Sequence, residues 1–112
     1  MRYAVPITDG IVSTHFGHCQ YFALIDADEA KGIILNKEVV PSPGHEPGVL
    51  PTWLAEEGVS VVIARGMGSR AQNIFEQNRI QVIVGVIGDD PDKAVLDHMI
   101  GTLATGDNIC DH

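Results

Sequence analysis

Apolar and polar positions divide the chain into two regimes. In the first, Arg2 to Ile7 is short and mostly apolar, as a strand is, and Asp9-Gly10 supplies a turn signal. Ile11 to Gln20 breaks the pattern with small and polar residues, two histidines, a cysteine and Gly17, and reads as irregular. Tyr21 to Asp26 is aromatic and aliphatic, Asp28 to Gly32 turns the chain, and Ile33 to Val40 reads as the returning strand of a hairpin. Pro41 to Gly48 is a loop by composition, since its prolines remove amide donors and its glycines permit unusual backbone angles. Val49 to Glu57 then spaces Leu50, Trp53 and Leu54 along one face of a short helix that Gly58 stops.

The second regime alternates more regularly. Val59 to Ala64 is a continuous β-branched and aliphatic run, as expected of a strand buried on both faces. Gly66-Met67-Gly68 follows, with Ser69 as the expected N-cap of a helix reaching about Gln77, whose inner face holds Ala71, Ile74 and Phe75. Val82 to Ile87 reads as a second buried strand. Asp89 or Asp90 caps a last helix that has Pro91 in its first turn. That helix is expected to run to about Thr105, with Val95, Leu96, Met99, Ile100 and Leu103 facing the core, and to end at Gly106 before a polar tail, Asp107 to His112. The order predicts one α/β domain over residues 1–112. An N-terminal antiparallel hairpin joined to parallel strands makes a mixed five-stranded sheet with helices on its faces, a three-layer architecture that resembles the ribonuclease H-like fold.

Composition narrows the function classes. With 112 residues the chain can bury a core without disulfides or a structural metal. Fifteen acids against 7 lysines and arginines leave a net charge of −8, which disfavours nonspecific nucleic-acid binding and anionic membrane surfaces. No apolar run approaches the roughly 20 residues of a spanning helix, and Met1 to Pro6 does not begin a signal peptide, so a cytoplasmic protein is expected. Two cysteines, Cys19 and Cys110, are too few for a disulfide scaffold and read as thiols or ligands.

Four places could carry chemistry. His15, His18 and Cys19 put three potential ligands within five residues; imidazole and thiolate suit zinc, copper(I) or iron–sulfur species, although the spacing matches no standard zinc motif. The alternative is a loop whose histidine bonds to backbone and whose cysteine packs as a small apolar residue. Cys110 and His112 form a Cys-x-His pair that would complete a four-donor set with Cys19 and His18 only if the tail folds back. His45 sits in the Pro/Gly-rich loop, where a lone histidine is usually solvated, and His98 reads as a surface residue. Gly66, Met67, Gly68, Ser69 and Arg70 follow a buried strand and open a helix, an arrangement that offers backbone amides and a guanidinium to an anion, without being a dinucleotide fingerprint or a P-loop. No nucleophile elbow, oxyanion hole or converging array of carboxylates is visible, so the chain reads as non-enzymatic.

Taken together, His15-Phe16-Gly17-His18-Cys19-Gln20-Tyr21-Phe22, Gly66-Met67-Gly68-Ser69-Arg70-Ala71 and the closing Gly101-Thr102-Leu103 resemble the dinitrogenase iron–molybdenum cofactor biosynthesis family. This is the NifX/NifY-type carrier domain, which also ends NifB-type proteins and occurs as small stand-alone chains. The resemblance spans nearly the whole sequence. It implies a ribonuclease H-like fold without nuclease activity. It also implies binding or carriage of an iron–sulfur or iron–molybdenum-type cluster during cofactor assembly, with cluster assembly or acceptor proteins as partners; separately, a monomer or weak dimer is expected. Many members have arginine and a small residue where this chain has His18 and Cys19, a departure that favours soft-metal ligation, zinc included. The family also tends to carry a functional histidine in the loop that His45 occupies. The alternative is a regulatory or protein-interaction module of the same fold without bound metal.

Overall fold

The computed structural model describes residues 1–44 and 48–106. Its first strand, β1 (Arg2–Thr8), turns at Asp9-Gly10 into a two-residue strand β2 (Ile11–Val12), pairing Ile7 with Val12 and Thr8 with Ile11. A short 3-10 turn, Phe16–His18, follows, and then the hairpin of β3 (Tyr21–Asp28) and β4 (Ile33–Pro41). Beyond helix α1 (Val49–Glu56) come β5 (Val61–Ile63), α2 (Ser69–Gln77), β6 (Gln81–Ile83) and α3 (Pro91–Ile100). The strands lie in the order β4-β3-β1-β5-β6, antiparallel on the β3–β4 side of β1 and parallel on the β5–β6 side, with β2 as a sixth strand on β1. The α/β class and the mixed sheet are those expected; β2 is additional.

Alternation along β1 splits the core into two layers. Ala4 joins Leu24, Leu50, Leu54 and Phe75 beneath α1 and α2, while Tyr3 and Val5 join Ile25, Ile63 and Val95 beneath α3. Each face of β1 is therefore covered, and burial of these apolar side chains, at about 1.5–3 kcal/mol each, supplies the main driving force.

Several boundaries differ from the sequence reading. Val82 to Ile87 was expected to be one buried strand, but only Gln81–Ile83 pairs with β5, and this strand lies at the edge of the β-sheet path and is only partly buried. Gly68, not Ser69, holds the N-cap position of α2. Asp90 caps α3, its carboxylate accepting from the amides of Asp92 and Lys93. Most consequentially, α3 ends at Ile100 rather than near Thr105, because Gly101 takes a left-handed conformation (φ 78°) and its amide caps the last turn. Ile100 is then exposed, not core-facing. Residues 102–106 return toward the sheet, where Ile87 N donates to Ala104 O and Gly106 N to Gly85 O. His98 is half-buried rather than a plain surface residue: its Nδ1 lies 2.7 Å from the hydroxyl of buried Tyr3.

Candidate functional site

The carboxyl ends of β1, β5 and β6 share one pole of the molecule, and backbone hydrogen bonds tie their loops together. Phe16 N donates to Gly66 O at 2.8 Å, Gly85 N to Arg65 O at 2.9 Å, and Val12 N to Asp89 O at 3.0 Å. Arg65 adds an ion pair to Asp89 at 2.9 Å and donates to the carbonyl of Gly88.

Within this pole the sequence stretch His15 to Cys19 alternates inside and out, for a physical reason. Phe16 is 4% exposed and wedges edge-on between Phe22 and Phe75, with ring centroids 5.6 and 5.3 Å away. One 3-10 turn then leaves His15 and His18 exposed on the outer side, their rings 6.2 Å apart and nearly perpendicular. A concave space of about 340 Å³ opens between this turn and the β5–α2 loop, lined by His15, Phe16, Gly17 and His18 on one side and Gly66, Met67, Gly68 and Ala71 on the other. A second, of about 290 Å³, opens on the opposite flank of the same two histidines, against Thr8, Asp9 and the residues 11–14. There Thr8 Oγ1 and the buried Ser13 Oγ hydrogen-bond each other.

Two glycines of the first space carry information. Neither Gly17 nor Gly68 has a positive φ, and a Cβ built on either would meet no atom within 4 Å. The backbone does not demand glycine at these positions. A side chain would instead take up room in the space they line.

Cys19 has a different environment. It is 3% exposed and belongs to the core layer that includes Phe16 and Phe22. Burial pushes its thiol up to about 11, only partly offset by the neighbouring Ser42 hydroxyl, so at neutral pH it is protonated. The structure thus brings His15 and His18 together at the rim and sets Cys19 among packing residues. Gly66, Met67 and Gly68 face the histidines across the gap; Ser69 and Arg70 are exposed at the start of α2 and lie outside its lining. His45, Cys110 and His112 fall outside the described residues. Among the described residues no three His, Cys, Asp or Glu side chains are grouped as a metal site.

Sequence reasoning did not find the anchoring role of Phe16 or the Thr8–Ser13 pair. The second had a signal: a two-residue turn at Asp9-Gly10 sets a hairpin register that carries Thr8 and Ser13 close together. The first had none, since which aromatic in His-Phe-Gly-His points inward is decided by Phe22 and Phe75.

Among the described residues no helix is long and apolar enough to cross a membrane. Comparison with known proteins finds an uncharacterised protein of Methanocaldococcus jannaschii that is 32% identical over 87 residues, covering 73% of this chain and 72% of that one. The crystal structure of PH0822 matches with a TM-score of 0.85 and 33% identity, over 94% of each chain. The apo form of the orange protein from Desulfovibrio gigas matches with a TM-score of 0.72 and 25% identity, over 96% of this chain and 93% of that one. A family model described as dinitrogenase iron-molybdenum cofactor covers residues 1–100, and the chain therefore belongs to that family.

Proposed function

We propose that this chain is a non-catalytic carrier of a metal–sulfur cluster, of iron–sulfur or iron–molybdenum type, held at the pole where His15 and His18 face the Gly66–Gly68 loop. The carrying observation is that two exposed imidazoles stand on the rim of a space whose glycines keep it open. Imidazole ligates iron, copper and zinc alike, and the amides at the start of α2 favour the negative charge of a sulfide-rich cluster. Arg70, exposed in the first turn of that helix, adds a guanidinium at the same end. His45 enters the proposal through the family resemblance, while Cys19 serves as packing. Few ligands and an open rim suit cargo that must be handed on, in contrast to the closed four-ligand cage of a structural metal. The cargo would come from cluster assembly proteins and pass to acceptors in the cytoplasm.

The test is anaerobic reconstitution with ferrous iron and sulfide, with and without molybdate, followed by metal analysis and visible absorption. The wild-type chain is expected to gain charge-transfer absorption, and His15→Ala with His18→Ala to lose most of it. Gly68→Ala is expected to weaken loading while leaving thermal unfolding nearly unchanged, because its Cβ meets no protein atom. Equal loading in the double histidine variant would overturn the proposal in favour of a protein-interaction module.

A further inference from the structure

The wall of the space that faces the histidine turn is fastened from behind. Along residues 65–68 each carbonyl accepts a bond from elsewhere in the chain. Arg65 O accepts from Gly85 N at 2.9 Å, Gly66 O from Phe16 N at 2.8 Å, and Gly68 O from Gln72 N at 3.2 Å. Met67 O is taken by the side chain of Gln72, whose Nε2 donates at 2.9 Å. Gln72 thus engages two successive carbonyls, one through its backbone and one through its side chain. The first bond belongs to the opening turn of α2. Met67 lies before the N-cap Gly68, outside the helix, and there a side chain supplies the donor.

Peptide planarity turns this bond into a direction. A trans peptide points its C=O and its N–H to opposite sides. Met67 O and Gly68 N belong to one peptide unit, so holding the oxygen at Gln72 turns the Gly68 N–H away from Gln72. Gly68 lines the space shared with His15 and His18, and Gln72 does not. The Met67 side chain is 1% exposed and packs in the core layer with Phe16 and Phe75, which anchors the other side of the same unit.

We infer that Gln72 is a positioning residue for this site: its side-chain amide holds the Met67–Gly68 peptide with the oxygen withdrawn and the N–H presented to the space, and so favours an anionic, sulfide-covered cargo over a bare cation. The inference rests on the reading of this pole as a cluster site and adds what sets the sign of charge it accepts. A bare cation needs oxygen lone pairs, and the carbonyls of residues 65–68 are turned to protein donors. The sulfides of a cluster are acceptors and meet a donor already fixed in place. Helix formation does not call for glutamine at this half-buried position, since methionine or alanine serves α2 as well.

Tetrathiomolybdate, a coloured, sulfide-covered dianion, is the probe, titrated anaerobically into the isotope-labelled whole chain. Visible absorption should report binding, and the NMR signal of the Gly68 amide proton should move downfield. Gln72→Met keeps the side-chain length but has no donor. It should weaken binding ~10-fold, the low end for loss of an outer-sphere hydrogen bond, and leave the Gly68 proton near its ligand-free position. Gln72→Ala should behave alike, and circular dichroism should show both variants folded. Undiminished affinity in both variants would overturn the assignment, as would a Gly68 proton that stays in place while the dianion binds. Weakening accompanied by loss of helix in both would also overturn it, because Gln72 would then serve the fold and not the cargo. If the unaltered chain ignores the dianion, the role of Gln72 falls. The carrier reading falls with it only if iron and sulfide also fail to load.

Discussion

Replacing Phe16 by alanine should be costly out of proportion to its place in an irregular loop. The side chain is almost fully buried and meets Phe22 and Phe75 edge-on. Phe→Ala in a core typically costs about 3–5 kcal/mol, combining lost transfer energy with the cavity left behind. The two edge-on contacts account for about 0.5–1.5 kcal/mol each of this. Set against a net stability of about 5–15 kcal/mol for a domain, that loss is large but need not unfold the chain. Phe16→Leu retains most of the volume and should cost about 1–3 kcal/mol. Urea unfolding followed by circular dichroism and by the fluorescence of Trp53 gives the measurement. Trp53 is the chain's single tryptophan, packed 5.6 Å from Phe22, and so reports on the same layer. With a slope of about 1–3 kcal/mol per molar urea, the alanine variant should shift the midpoint down by about 2 M. A loss below about 1 kcal/mol, with both probes coincident, would show that the turn carrying His15 and His18 is not held by this ring, and the account of the site's geometry would fail.

Two other consequences concern stability. The Cys19 thiol is raised to about 11 in the fold, against about 8.5 in an unfolded chain. Between those values the unfolded state gives up its proton first, so stability present below about pH 8.5 should fall as pH rises, by at most about 3 kcal/mol. Comparing urea midpoints from pH 8 to 11 with those of Cys19→Ala isolates this part, and parallel curves would refute it. Asp90→Ala removes the side chain that accepts from Asp92 N and Lys93 N, and should cost about 1 kcal/mol. Calorimetry should show a drop of roughly 4–8 °C, and an unchanged transition would mean that the cap is replaced by water.

Much of this protein is determined by sequence alone. Apolar runs specify β1, β3 and β5, which are buried between the helical layers, and the Asp28–Gly32 turn marks β4 as the returning strand of a hairpin although that strand is mostly exposed. Leu50 with Leu54, and Phe75 within α2, likewise mark their helical faces, and Asp90-Pro91 marks a helix start through local chemistry. The motifs of the His15 and Gly66 segments, read together, point to the family. Tertiary structure decided the rest. His15, Phe16, Gly17 and His18 have no periodicity, and the division into outward imidazoles and an inward ring arises because Phe22 and Phe75 leave a slot for one aromatic. The choice between ligand and packing residue at Cys19 likewise depends on neighbours distant in sequence. The end of α3 was illegible for a related reason: Leu103 continues the apolar spacing past Gly101, so periodicity argues for helix while the left-handed glycine argues against it. The glycine prevails because residues 104 and 106 gain backbone hydrogen bonds to 87 and 85 by turning back. A competition between local helix and nonlocal pairing is settled by the sheet edge that only the folded chain presents.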